Sequence, residues 1–303
     1  MNNYITEMKA KYSLSDIKKY NRKHDLNVLV VGETIIDEYY FGQSLGKSGK
    51  APIVAFENKT LDVYEGGAKA IRNHLEDFCN VDILTGDYDV IKRRYIENKQ
   101  KLFETYTYIK SDRPKKKINI KDYDLVIVAD FGNKFIDTNL KNKIEAEANY
   151  ICLNTQLNAG NMGLNTINKY SKWNYICIDQ TELRLATSNQ YNTVEEIIIE
   201  KFNGIEKSGR LVSITENKKG SVLFDGINMI KSPSLIKKSK IVDTTGAGDS
   251  YFSITSILSY LKAPKEIIGF YGNIAGAIAC TYMGNKYTIT IERMLKYMED
   301  LLK

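Results

Sequence analysis

Short apolar runs, rich in β-branched residues and closing on glycine or a polar residue, recur along the chain. They are NVLVVGE (27–33), NVDILTG (80–86), YDLVIVAD (123–130), YICLN (150–154), YICID (175–179) and RLVSIT (210–215). Runs without polar alternation predict strands buried on both faces, the pattern of a parallel sheet. Helical spacing lies between several of them. In GGAKAIRNHLEDF (66–78), Ala68, Ile71, Leu75 and Phe78 follow steps of three, four and three. After Asp249, the residues Ile254, Ile257, Leu258 and Leu261 repeat the i, i+3, i+4, i+7 stripe of a helix. Strands alternating with helices predict an α/β fold whose mostly parallel sheet is covered on both faces. Ligands of such sheets gather at the carboxyl ends of the strands, where Asp130, Asn154, Asp179 and Thr215 stand.

Two stretches break the alternation. Residues 37–65 and 101–110 are rich in aromatic and β-branched residues and have no helix between strands. They predict a small separate sheet, a lid over the strand ends built from segments at about 38–65 and 100–118. Residues 1–26 are polar and lysine-rich, and predict an N-terminal extension outside the core domain of 27–303. Within it, Ser13 or Ser15 would cap a short helix around SDIKKYNRK.

Composition narrows the function only a little. Of the 303 residues, 43% are hydrophobic and 26% charged, and the net charge of +6 is too mild to imply nucleic acid. The densest basic run, KSDRPKKKINIK (110–121), has no interleaved aromatic residues and reads as a solvated loop or strand edge. Cys79, Cys152, Cys177 and Cys280 form no CxxC and read as buried thiols of a reducing compartment. His24 and His74 are the only histidines, which speaks against a zinc centre or a Ser-His-Asp machine. The N-terminus has no apolar signal core, and no run reaches membrane-spanning length. The expectation is a soluble cytoplasmic protein without membrane or nucleic-acid partners.

GQSLGKS (42–48) imitates a phosphate-cradling P-loop. That motif needs four residues between its glycines and a strand-to-helix setting. Only three separate Gly42 from Gly46, so the stretch reads as part of the lid.

DTTGAGDSYF (243–252) carries more chemistry. Consecutive N–H groups of Gly246, Ala247 and Gly248 at a helix start would be unpaired, and would point one way at the positive end of the helix dipole. Small residues let a phosphate come close to that backbone. Asp249, beside it, could take the proton of an attacking hydroxyl. Together they describe phosphoryl transfer to an alcohol. The plainer alternative is a glycine-rich helix N-terminus with a first-turn acid.

The string DTTGAGDS resembles the C-terminal signature of the ribokinase-like (PfkB) family of carbohydrate and nucleoside kinases, and the resemblance runs from about Asn27 onward. VVGETIIDEYY is similar to the family's first strand and substrate-binding acid, here Asp37. EGGAKAIRNHL is similar to its paired-glycine motif, here Gly66 and Gly67. IDQTELRLA resembles the N-x-x-E motif that organises magnesium and phosphates, with Glu182 in place and Asp179 where asparagine is usual. SITENKKGSVLFDG resembles the nucleotide-flanking strand and turn, at Thr215 and Gly220. GNIAGAIACTYMGN resembles the segment that borders adenine, at Asn273 and Gly276. Within the family, GETIIDEYYFG, GKSGKAPIVAFE, DYDLVIVADFGNKFID and NTQLNAGNMG look most like the heptose-phosphate kinase of ADP-heptose synthesis and related sugar kinases.

The resemblance implies a three-layer α/β/α kinase with a β-sheet lid, using ATP and Mg2+, in which Asp249 is the base and the 246–248 amides form the anion hole. It implies sugar contacts from Asp37, Gly66, Gly67, Asn133 and Asn154, and metal organisation by Glu182 and Asp179. Asp243 would help shape a monovalent-cation or loop site. A homodimer through the lid is implied, as is a separate nucleotidyltransferase in the same pathway. Two departures stand out. Ala70 occupies a position where asparagine is frequent, and Asn154-Thr155-Gln156 replaces a D-P-K-like triplet, which weakens the expectation of a phosphorylated sugar. A nucleoside kinase, with Tyr39, Tyr40 or Phe41 as base clamp, and a catalytically silent sugar- or nucleotide-binding regulator are the alternatives.

Overall fold

The computed structural model describes residues 2–86, 90–109 and 118–303. The basic run at 110–117 and the lid's expected end beyond Ile109 thus fall, save Ile118 itself, outside the described residues.

The main sheet contains β1 (Asn27–Gly32), β4 (Asn80–Leu84), β7 (Leu125–Asp130), β8 (Ile151–Thr155), β9 (Tyr175–Asp179), β10 (Leu211–Thr215), β11 (Ser221–Phe224) and β12 (Met229–Ser232). Their order is β12-β11-β10-β9-β8-β7-β1-β4, parallel except for the two antiparallel pairings at the β11–β12 edge. The six runs that read as buried strands are the six parallel strands. Along them the side chains alternate between two cores, as a pleat requires. Val28, Val30, Ile127 and Cys177 face α3 (Ala68–Leu75), α7 (Ala247–Tyr260), α8 (Lys265–Ala279) and α9 (Ile291–Leu302). Leu29, Val31, Val128 and Ile178 face α4 (Thr138–Glu147), α5 (Gln180–Thr187) and α6 (Val194–Lys201). Among the described residues no helix is long and apolar enough to cross a membrane.

A second sheet has the order β3-β2-β5-β6, from β2 (Thr34–Lys47), β3 (Val54–Gly67), β5 (Val90–Glu97) and β6 (Gln100–Tyr108). Glu33 alone separates β1 from β2. The P-loop imitation is the tail of β2, in strand rather than loop conformation, with register shifts at Phe41/Gly42 and Ser44/Gly46. The lid also includes β5, which the sequence reading omitted.

The first 26 residues are not outside the core. They form α1 (Asn2–Lys11) and α2 (Leu14–Lys18), the latter capped by Ser13 with a reciprocal bond from Asp16. Ile5, Met8, Ile17 and Leu26 are buried in the same core as α8. The Tyr271 hydroxyl donates to the Ile17 carbonyl at 2.6 Å, and Glu266 on α8 takes both Lys11 and the Tyr12 hydroxyl. Sparse apolar positions among many lysines hid this packing in the composition.

Candidate active site

The cleft lies between the carboxyl ends of the parallel strands and the lid. Its floor is the start of α7. Gly246 caps the helix at φ +80, a left-handed conformation that suits glycine. A side chain there would also strike Asn285, whose Oδ1 is 2.2 Å from where a Cβ would sit. Gly248 is different: nothing lies within 4 Å of the place a Cβ would occupy. Among the described residues the N–H groups of Gly246 and Gly248 have no acceptor within the chain. The Ala247 N–H bends back to the Thr244 carbonyl at a long 3.3 Å. Two of the three expected amides are therefore open, and the third is weakly held by its own turn.

Asp249 is 9% exposed, and its Oδ1 accepts the Gln156 carboxamide N–H at 2.6 Å. Burial pushes its pKa up to about 7; the Gln156 bond and Lys92 oppose the rise, and Asp37 adds to it. Next to Asp249, the Ser250 hydroxyl meets His74 Nε2 at 3.0 Å, while His74 Nδ1 accepts the Ile289 N–H at 3.1 Å. That acceptor role fixes the imidazole proton on Nε2. Burial holds His74 down at about 4, so it is a neutral strut.

The residues expected to contact a sugar are gathered by the lid. Asp37 on β2 is buried and paired with the Arg94 guanidinium of β5, which also reaches Glu104 at 3.4 Å. Lys92, two residues earlier on β5, lies over the Tyr106 ring at 5.5 Å. Burial lowers the Lys92 pKa, against the pull of Asp37 and Asp249 nearby. A Cβ at Gly66 would sit 2.6 Å from Asp37 Oδ2. One at Gly67, with φ +63, would sit 2.4 Å from the Glu33 carbonyl. Asn285 lies beside both Gly66 and Gly246, so the paired-glycine turn and the start of α7 are continuous.

The asparagine-rich stretch mostly supports itself. Asn158 and Asn161 donate to the Phe131 carbonyl at 2.7 and 3.1 Å, and Asn165 to the Asp130 carbonyl at 2.7 Å. Asn133 gives its backbone N–H to Glu33 at 2.9 Å. Asn154 donates to the Cys177 carbonyl at 2.7 Å, and its side-chain oxygen is buried without a partner among the described residues.

Several residues expected to contact a nucleotide make structural bonds. Asp179 Oδ1 accepts the N–H groups of Thr181 and Glu182, and Glu182 Oε2 accepts that of Asp179. This reciprocal capping box starts α5. Glu182 Oε1 further holds the Leu157 N–H at 2.9 Å, and burial, followed by Asp179, pushes the Glu182 pKa up to about 8. Asn273 does not border an open pocket. It is buried and donates to Ser221, Ser232 and Gly269, joining α8 to β11 and β12. Gly220 is needed for its turn: φ is +104, and a Cβ would lie 2.1 Å from the Ser232 carbonyl. Thr215 ends β10 opposite Asp179, and a Cβ at Gly276 would sit at an ordinary 3.5 Å from the Ala247 carbonyl.

Asp243 is surrounded by donors. Oδ1 accepts Lys101 Nζ at 2.8 Å, the Thr244 and Thr245 N–H groups at 2.8 and 3.3 Å, and the Thr245 hydroxyl at 3.1 Å. Oδ2 accepts the Gly284 N–H at 3.1 Å and the Tyr39 hydroxyl at 3.4 Å. Burial works against its charge, but Lys101 and these N–H groups hold its pKa below the usual value. Among the described residues no three His, Cys, Asp or Glu side chains are grouped to hold a metal directly. Gln156, Lys92, Lys101 and Asn285 are the cleft residues that sequence reasoning did not select. Only Gln156 carried a signal, as the last member of the divergent triplet.

The chain is 25% identical over 318 residues to "Bifunctional protein HldE" of Aliarcobacter butzleri (strain RM4018), covering 91% of this chain and 65% of that protein. It is 24% identical over 304 residues to the protein of the same name from Helicobacter pylori (strain Shi470), covering 85% and 63%. It thus spans a little under two thirds of the length of these curated relatives. Among solved structures, a ribokinase from Thermotoga maritima superposes with a TM-score of 0.67 at 15% identity, covering 90% of this chain and 99% of that one. Phosphofructokinase-2 from Escherichia coli gives 0.66 at 12%, covering 92% and 100%. These superpositions show a shared ribokinase-like fold. Residues 94–291, well over half of the sequence, match the model described as pfkB family carbohydrate kinase, and the chain belongs to that family.

Proposed function

We propose that this carbohydrate kinase transfers the γ-phosphoryl group of ATP to a hydroxyl of a heptose-like sugar or sugar phosphate, with Asp249 as the base. The observation that carries this reading is the buried Asp249 carboxylate standing beside the open N–H groups of Gly246 and Gly248. Gln156 holds one carboxylate oxygen, which leaves the other for the sugar hydroxyl. As the hydroxyl oxygen bonds to the γ-phosphorus, its proton passes to Asp249 and the bond to the ADP oxygen breaks. The 246 and 248 amides and the positive end of α7 receive the charge on the transferring group. Asp37, oriented by Arg94, and the Gly66-Gly67 turn align the sugar.

Magnesium, when bound, would neutralise phosphate charge. Glu182 has both oxygens committed to N–H groups and does not suit direct ligation. Asp179 Oδ2 and Glu182 suit contact through the ion's water shell, as a hard, reluctantly dehydrated cation favours.

A heptose-like substrate is supported by the quoted sequence resemblance and by the HldE relatives. The rings named for the base clamp of a nucleoside kinase are engaged within the lid: Tyr39 is fully buried, Tyr40 stacks on Tyr95 at 5.1 Å and Phe41 on Tyr39 at 6.5 Å. The lid leaves Leu61, Val63, Leu102 and Phe103 exposed, which suits a second copy of the chain docked on it.

ADP release measured over heptoses, hexoses, their phosphates and nucleosides tests the reading. Asp249→Asn should retain MgATP binding and lose turnover by about 10²–10⁴-fold. A near-normal rate in that variant removes Asp249 as base.

A further inference from the structure

Lys101 has no part in the chemistry above, yet it makes the lid's contact with the loop that leads into the anion hole. It lies on β6, and its ammonium donates to Asp243 Oδ1 at 2.8 Å and to the Thr245 hydroxyl at 2.7 Å. Thr245 directly precedes Gly246. The ring of Tyr39, another lid residue, lies 5.9 Å from the same ammonium. The Lys101 side chain is 39% exposed, and that of Asp243 only 5%.

We propose that the Lys101 ammonium is itself the monovalent cation of the 243–249 loop, delivered by the lid in place of a dissolved alkali ion.

The family resemblance led to an expected cation or loop site at Asp243, and the donor pattern decides between the two. An alkali ion needs oxygen lone pairs turned toward it. A carboxylate offers about four lone-pair sites, and the Asp243 carboxylate already accepts six contacts from N–H, O–H and ammonium donors. Potassium or sodium could bind there only by displacing Lys101. An ammonium carries the same single positive charge and brings its own hydrogen bonds, so it meets the electrostatic need directly.

Tethering changes the behaviour. A dissolved ion stays with the loop whatever the lid does. Lys101 and Tyr39 both reach Asp243 from lid strands, so the loop's charge is balanced only with the lid down. Lid position and loop geometry thereby become one equilibrium, and phosphate binding at Gly246 and Gly248 favours the closed form.

The inference rests on reading 243–249 as a phosphate loop, so the test includes a measurement that needs no nucleotide. The thermal midpoint of the full chain, and its MgATP affinity by calorimetry, are compared in tetramethylammonium, sodium and potassium chloride at equal ionic strength. The wild type should show the same midpoint in all three and affinities within twofold. Lys101→Met keeps the aliphatic stem. In tetramethylammonium it should melt about 2–4 °C lower and bind MgATP about tenfold more weakly, with potassium restoring most of both. Lys101→Arg should behave as the wild type. A wild type that itself gains midpoint and affinity saturably with potassium overturns the proposal. So does a Lys101→Met protein indistinguishable from wild type in tetramethylammonium. If no form binds MgATP but Lys101→Met still gains midpoint with potassium, the cation assignment stands and the nucleotide reading falls.

Discussion

To act as the proposed base Asp249 must be an anion, but it is held where anions are disfavoured. With its pKa near 7 in the free protein, log(kcat/KM) should climb with pH up to about 7 and then level, as measured at limiting sugar. Stability should run the other way. A carboxyl whose folded pKa lies above its unfolded value binds more protons in the native state, so its stabilising contribution is full below about pH 4 and lost as pH rises through 7. Glu33 and Glu182, pushed up to about 7 and 8 chiefly by burial, act in the same direction. The unfolding free energy should therefore fall between pH 5 and 9. Asp249→Asn should be more stable than wild type at pH 8 by roughly 1–3 kcal/mol, read from urea titrations at both pH values. At this scale, the acids were legible because the family strings contain them. Gln156 was marked only as the end of a divergent triplet, and its role was not legible, since its contact joins positions 93 residues apart.

Among the elements, the start of α7 separates folding from chemistry. Gly246→Ala meets both a left-handed φ and Asn285, and should destabilise the protein by about 1–3 kcal/mol. Gly248→Ala meets open space inside a helix, where alanine is the better residue. It should melt no lower than wild type yet lose at least about tenfold in kcat/KM, because its methyl group occupies the anion's place. A lower melting point with normal turnover would reverse that assignment. Strand β5 shows why one site-bearing element escaped the sequence reading. Its inward positions are Val90, Lys92, Arg94 and Ile96, and Lys92 and Arg94 interrupt the apolar side of the alternation. Polar inward positions are what a binding cleft requires, and they erase the signal that identifies a strand. The D-x-x-E segment shows the converse: the acids expected to organise metal also form the capping box of α5, which the sequence reading did not anticipate.

For the molecule as a whole, the parallel sheet was legible because five of its six parallel strands, all but the edge strand β4, are buried on both faces and have no polar alternation to confuse them. The β11–β12 edge, four residues per strand, was too short to register. The N-terminal helices were misjudged because burial there depends on a few positions. Ile17 is 1% exposed, and its carbonyl receives the Tyr271 hydroxyl. Ile17→Ala should cost about 2–5 kcal/mol in denaturant unfolding, whereas a true appendage would show almost nothing.

Two of the four lid strands meet the main sheet at a single corner, Glu33. β2 leaves after Glu33 alone, β3 returns with Gly67 paired to Thr34, and the Ala68 N–H closes on the Glu33 carbonyl at 2.9 Å. With β5 following β4 and β6 preceding β7, the cover is joined along one side, and a tilt about that side moves the opposite rim through the widest arc. Small rotations at the root thus become large displacements at the rim, and passage through the cleft is governed from that rim rather than from the fulcrum.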